Sequence, residues 1–207
     1  MKSARFALLT LTLLTLAIVG PPSTAKAHDP DNPEAHRSMP NQVTAGAITL
    51  CPTAHDLDRP GSRQGAEGVA CIGAALSFSR ELGRHFELRI RAAYDKPFLF
   101  DDTELDSLHE VRATLSADAV FYRLRDKLTL TLGPELGLAT FVHEQPDENQ
   151  TYWGVAWGGV LGIRPWLTYH TGLFAEAGFG GTITWQDDTT LSSTTLGRIT
   201  LGWADRF

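Results

Sequence analysis

The sequence predicts an all-β protein: an eight-stranded antiparallel up-and-down transmembrane barrel after a cleaved signal peptide. Three observations predict it. The chain ends on an alternating segment, the same alternation recurs in eight runs, and the links between runs alternate short and long. In the last twelve residues Ile199, Leu201, Trp203 and Phe207 share one parity, while Arg198, Thr200, Gly202, Ala204 and Arg206 share the other. A period of two puts these sets on opposite faces of a strand. Only Asp205 breaks the apolar face. An exposed face of this kind, ending on an aromatic, suits hydrocarbon, and the opposite face suits a narrow polar interior.

The N-terminus has the layout of an export signal. Lys2 and Arg5 precede an uncharged run from Phe6 to Gly20, and Ala25-Lys26-Ala27 offers a small-x-small cleavage site. Residues 1–27 are therefore read as a signal peptide. The rival reading, a membrane anchor, needs ~20 apolar residues, and Pro21 and Pro22 stop the run short of that. Residues 28–41 hold three prolines and show no periodicity, which predicts a flexible arm. Residues 42–207 are assigned to the barrel. Without the signal peptide, 15 basic residues face 24 acidic ones, so nucleic acid is not an expected partner. No later apolar run is long enough for a transmembrane helix.

The eight runs are Gln42–Leu50, Ala70–Ser79, Phe86–Tyr94, His109–Tyr122, Leu128–Phe141, Tyr152–Ile163, Leu167–Trp185 and the C-terminal segment. In the third, Phe86, Leu88, Ile90, Ala92 and Tyr94 oppose Glu87, Arg89 and Arg91. In the fourth, Val111, Ala113, Leu115, Ala117, Ala119 and Phe121 oppose Glu110, Arg112, Thr114, Ser116 and Asp118. Pro134 in the fifth predicts a bulge or a missing ladder bond. The links around Gly83, from Arg123 to Lys127 and around Pro165 are short. Those at Cys51–Cys71, Asp95–Leu108, His143–Gln150 and Gln186–Thr194 are read as longer polar loops. Such alternation predicts brief turns at one end of a barrel and longer loops at the other. Phe86, Phe121, Trp166 and Phe207 fall beside the turns and Tyr94, Trp153 and Trp185 beside the loops, as two interfacial aromatic girdles require. A soluble eight-stranded barrel of the lipocalin or avidin kind is the structural rival, with its apolar face turned inward.

The architecture resembles the small eight-stranded outer-membrane β-barrel proteins of Gram-negative bacteria. The resemblance is strongest in Gly197 to Phe207, where Ile199, Leu201, Trp203 and Phe207 look like that family's C-terminal assembly signal. Asp205 departs from it, standing where the family usually has an aromatic. The resemblance implies location in the cell outer membrane, contact with its lipid and lipopolysaccharide, and handling by the barrel assembly machinery.

On this register Glu87, Arg89, Arg91, Glu110, Arg112, Asp118, Glu135, Glu176, Arg198 and Arg206 face inward. Eight strands enclose only enough room for their own side chains, and isolated buried charges cost several kcal/mol. A lumen charge network of salt bridges is expected, with a gated ion path as the alternative. Cys51 and Cys71 are the only cysteines. In an oxidising compartment they are expected to pair, closing a loop that contributes on the order of 3 kcal/mol.

Glycines at 154, 158, 159, 162, 178, 180 and 181 make room for a large neighbour such as Phe174, or for a small acyl cavity. For catalysis, His170-Thr171 with Glu176 is the nearest thing to a nucleophile and base. The first two have opposite parity, which argues against a site. No metal ligand set and no cofactor are expected. Acidic residues at 95, 101, 102, 104, 106, 144, 147, 148, 187 and 188 offer an extracellular partner a surface, and Phe98, Leu99 and Phe100 are an apolar exception. The expected role is a non-enzymatic barrel with a structural or surface-interaction function. A narrow channel for small or apolar molecules and a lipid A-modifying enzyme are the alternatives.

Overall fold

The computed structural model describes residues 41–83, 85–98, 108–124, 127–144 and 149–207. The signal peptide and the arm up to residue 40 lie outside these, as do Leu99, Phe100, Asp101, Asp102, Glu104, Asp106, Asp147 and Glu148. The strands are β1 (Asn41–Arg59), β2 (Ser62–Glu81), β3 (Phe86–Phe98), β4 (Leu108–Leu124), β5 (Leu128–His143), β6 (Gln150–Pro165), β7 (Thr171–Gln186) and β8 (Thr189–Arg206). Each pairs antiparallel with its neighbour in sequence, and β1 pairs with β8 to close the barrel. At the seam the Asn41 and Phe207 backbones exchange two hydrogen bonds, 3.2 and 2.9 Å. Among the described residues no helix is long and apolar enough to cross a membrane.

The faces are sorted as the alternation predicts. Leucines at 76, 115, 132, 136, 138, 161 and 201, with Ile199 and Phe179, are exposed on the outside. Arg89, Arg91, Glu87, Asp118, Thr131 and Thr200 are buried on the inside. A water-soluble barrel would have the reverse polarity. The exposed face therefore requires a hydrocarbon solvent, and the lipocalin-like alternative is excluded.

Two links read from the sequence as long loops are mostly strand. β1 and β2 continue through Cys51–Cys71 to a turn at Pro60 and Gly61, with Arg59 paired to Ser62. β7 and β8 likewise meet at Asp187 and Asp188, with Gln186 paired to Thr189. Gly61 (φ 81°) and Asp187 (φ 50°) supply the positive φ that such tight turns need. The strict alternation of long and short links is thus overturned. These strand ends run past the apolar belt, where neither face must meet lipid, so the hydrophobic period that marks a strand fades there.

At the other end β7 begins at Thr171, and residues 166–170 form the turn rather than part of the strand. Pro134 causes no register shift. The β4–β5 ladder skips the positions opposite Pro134 and Gly133 and resumes in the same register, while the bulge falls at Phe121, between Val120 and Tyr122. β1 carries two irregular stretches, after Gly46 and near Thr53, on either side of Cys51.

Candidate functional site

Charged side chains converge inside the barrel because strands at different heights contribute inward positions to the same level. β3 supplies Glu87, Arg89, Arg91 and Asp95; β4 supplies Glu110, Arg112 and Asp118. β5, β6, β7 and β8 add Glu135, Arg164, Glu176 and Arg198. All are buried, and among the described residues they amount to six carboxylates against five guanidiniums. Near-neutrality of this kind favours mutual pairing over an uncompensated field.

Nearest the turn end, Arg164 reaches across the lumen from β6 to β3. Its Nη1 and Nη2 donate to both carboxylate oxygens of Glu87 at 2.7 and 2.6 Å, and Nη1 also donates to Gln42 Oε1 at 2.8 Å. The planar guanidinium suits this two-oxygen contact in a way an ammonium would not.

In the middle, Glu176 bridges two arginines. Arg91 Nη1 donates to its Oε2 at 2.6 Å, and Arg89 Nη1 holds its Oε1. Arg89 also forms an ion pair with Asp118 at 2.9 Å and donates to Ser116 Oγ at 3.2 Å. Arg91 Nη2 donates to Thr200 Oγ1 at 3.0 Å.

Toward the loop end, Arg198 binds Glu135 at 2.6 Å, while Arg112 pairs with Asp95 and stands 3.5 Å from Glu110. The Arg112–Glu110 approach lacks hydrogen-bond geometry, with Arg112 Nε and Glu110 Oε1 both buried and unmatched. Arg89 Nη2 and both Asp118 carboxylate oxygens likewise lack hydrogen-bond geometry despite the 2.9 Å approach, so the network is loose at both places.

Apolar groups flank the ionic tier. At the loop end Leu57, Leu108, Phe141, Tyr152 and Leu191, drawn from five strands, form one buried cluster. The His55 ring meets Phe141 edge-on at 5.9 Å. At the turn end Trp166, Phe174 and Ala204 form another. Trp166 Nε1 donates to Thr129 Oγ1 at 3.2 Å, and the Arg206 guanidinium lies 4.4 Å from the Trp166 ring and 4.8 Å from that of Tyr169. Arginine over two aromatic faces is a favourable cation–π arrangement.

Nine inward charges expected from the sequence, Glu87, Arg89, Arg91, Glu110, Arg112, Asp118, Glu135, Glu176 and Arg198, lie buried among these contacts. Arg206 is instead partly exposed at the turn end. Sequence reasoning missed Arg164 and Asp95. It put Arg164 in a turn and Asp95 in an acidic loop, yet both hold inward strand positions. It also set Trp166 on the interfacial girdle, whereas the ring is only 7 % exposed. Parity carried one step further from Ile163, or from Arg91 through Ala93, identifies all three. Phe86, Phe121, Phe207, Tyr94, Trp153 and Trp185 do face outward.

Ile199, Leu201, Trp203 and Phe207 are exposed along β8. Asp205, which interrupts this face, accepts hydrogen bonds from Thr171 Oγ1 at 2.8 Å and Trp203 Nε1 at 3.2 Å. Its charge is therefore held against the wall. Cys51 stands directly opposite Cys71 across β1 and β2. His170, Thr171 and Glu176 do not converge: Glu176 is committed to two arginines and Thr171 to Asp205. Phe174 packs against glycines, but these are Gly46 and Gly202 rather than those picked out in β6 and β7. Gly178 stands opposite Arg198 in the register, where a Cβ would fall at an ordinary contact distance of 3.4 Å from Nη2.

No family model and no curated protein matches the sequence. Solved structures do match in fold. The outer membrane protein OprG from Pseudomonas aeruginosa superposes with a TM-score of 0.56 at 15 % identity, covering 82 % of this chain and 96 % of that one. Neisserial surface protein A gives 0.51 at 13 % identity, covering 81 % and 97 %. Direction of the apolar face, closed eight-strand topology and these two likenesses agree: the fold is that of the small outer-membrane β-barrels.

Proposed function

We propose that this chain is an exported, non-enzymatic barrel of the Gram-negative outer membrane, with a structural or surface-interaction role and a lumen sealed by paired charges. One observation carries the reading. Arg164, Arg89, Arg91, Arg112 and Arg198 each reach a carboxylate on another side chain of the same interior, between an apolar cluster at either end. Solutes crossing this interior would have to break several buried ion pairs, each costing several kcal/mol. A conducting pore of this width would need unpaired charge or a continuous hydrated path.

The outward face of β8, with Ile199, Leu201, Trp203 and Phe207, is the surface offered to the assembly machinery and then to lipid. Among the described residues, Glu144, Asp187 and Asp188, exposed at the loop end, are the surface offered to lipopolysaccharide-bound cations or to a basic partner outside the cell. A Cys51–Cys71 disulfide supports the base of the projecting β1–β2 hairpin. The facing register favours it, since antiparallel partners sit ~4.5–5.5 Å apart at Cα, within the span a disulfide bridges.

Planar-bilayer recording tests the sealed lumen. Refolded protein is expected to give no reproducible single-channel steps, and steps of constant size would overturn the reading in favour of a narrow channel. In the same preparation lipid A should keep its acylation pattern by mass spectrometry. A changed pattern would make the protein an enzyme.

A further inference from the structure

The lipid-facing belt is not uniformly bulky. Between β6, β7, β8 and β1, near the turn end, a groove of about 570 Å³ opens on the outer wall. Ile163, Leu173, Leu201 and Trp203 form its sides, and Ala45 and Ala175 leave it recessed. Register explains the recess. Leu201 and Ile163 stand on either side of Ala175, and Trp203 lies between Ala45 and Leu173. Ala175 and Ala45 are thus the two small outward positions among larger neighbours across these four strands. At the floor, Gly202 and Phe174 line the groove, and the wall there is reduced to backbone. A Cβ at Gly202 would come within 2.7 Å of Phe174 Cε1, so the ring backs the glycine from the lumen side. Small side chains outside and an aromatic plug inside keep this dent from being filled by the protein itself.

We propose that this groove is a binding site for one acyl chain of a membrane phospholipid, held in preference to the general lipid belt. The inference rests on the membrane-spanning reading above. Its occupant follows from position: the groove is continuous with the exposed apolar belt of Leu161, Leu173, Ile199 and Leu201, and it is walled by apolar side chains. Transfer from bulk lipid provides no hydrophobic gain, because tails are as apolar as leucine. The preference comes from van der Waals contact on three sides rather than one, which supports an enrichment of about five-fold over bulk lipid. The site distinguishes chain from no chain and does not select a headgroup.

Trp203 lies in the groove wall and reports on it. A protein with Trp203 as sole tryptophan, the other four replaced by Phe, would be refolded into phosphatidylcholine vesicles containing increasing amounts of phosphatidylcholine with brominated acyl chains. Half-maximal quenching is expected at a brominated fraction about five-fold lower than in the same protein carrying Ala175→Phe, which fills the groove. Ala117→Phe, at an outward position on β4, should leave the curve unchanged. Ala175→Leu provides a milder filling should the phenylalanine impair folding, with heat-modifiable gel migration as the check on each variant. Coincident curves with and without the Ala175 substitutions would overturn the site while leaving the membrane reading intact. Absence of quenching at any brominated fraction would overturn both.

Discussion

The middle of the lumen and its loop end solve the same problem by different chemistry. Both must place side chains in a narrow interior at little cost. The middle does it with arginines that reach across to carboxylates, as Arg164 does to Glu87 and Arg89 and Arg91 do to Glu176. The loop end does it with five apolar side chains, Phe141 and Tyr152 among them. The two tiers should fail differently. Removing one partner of a buried ion pair leaves a bare charge, whereas trimming an apolar side chain leaves only a smaller contact. The ionic tier is consequently brittle to single changes and tolerant of matched ones, and the apolar tier is graded.

The largest expected effect tests that brittleness. Arg164→Met strands Glu87 and should destabilise the barrel by about 3–5 kcal/mol, measured by urea unfolding in vesicles. Adding Glu87→Leu removes the stranded charge, and the double variant should return to within about 1 kcal/mol of the parent. A double variant as unstable as the single would show that Arg164 matters for something other than pairing, and the contrast between the tiers would be lost. Gln42, which also accepts a hydrogen bond from Arg164, is the residue to suspect first.

Phe141→Leu measures the other tier. Its ring is fully buried between strand ends of the loop-end cluster, and a hydrophobic replacement changes shape without leaving a charge. The expected cost is about 1 kcal/mol in the same assay. A loss as large as that of Arg164→Met would mean that the loop-end cluster, not the ionic tier, holds the lumen together.

How much of this was legible in the sequence follows the same division. Alternation exposed the barrel and nine of the inward charges because each falls within a run of alternating apolar residues, as Glu87 does between Phe86 and Leu88 and Glu110 does beside Val111. Arg164 and Asp95 sit at the ends of such runs, although Asp95 stands directly opposite Glu110. There the outward neighbours become Pro165 and Lys96, polarity no longer distinguishes faces, and composition reads as turn or loop. Trp166 failed for a different reason. Tryptophan has two favourable homes near a turn, the interface and the barrel mouth, and composition does not choose between them; only its shared parity with Arg164 does. The pairing partners were not legible at all, since which guanidinium meets which carboxylate depends on strand tilt around the barrel rather than on any spacing within one strand.

Outside the lumen the β1–β2 hairpin offers a third case, an ion pair in water. Arg63 Nε donates to Asp56 Oδ2 at 2.9 Å and Oδ1 at 3.1 Å near the projecting tip. This hydrogen bond from Arg63 holds the Asp56 carboxyl below its ordinary pKa. A carboxylate depressed in the folded state contributes stability above its unfolded pKa, and the contribution is lost as pH falls through the folded value. The tip should therefore loosen only below roughly pH 4, where an ordinary aspartate begins to protonate. Backbone amide exchange at Arg59 and Ser62 would rise there in the parent protein but be raised at all pH values in Asp56→Asn. Added salt should shrink the difference, because exposed pairs are screened. The lumen pairs, shielded by the wall, should keep their exchange protection over the same salt range. Equal salt sensitivity at the tip and at Glu87 would mean that solvent reaches both, and that the interior is open.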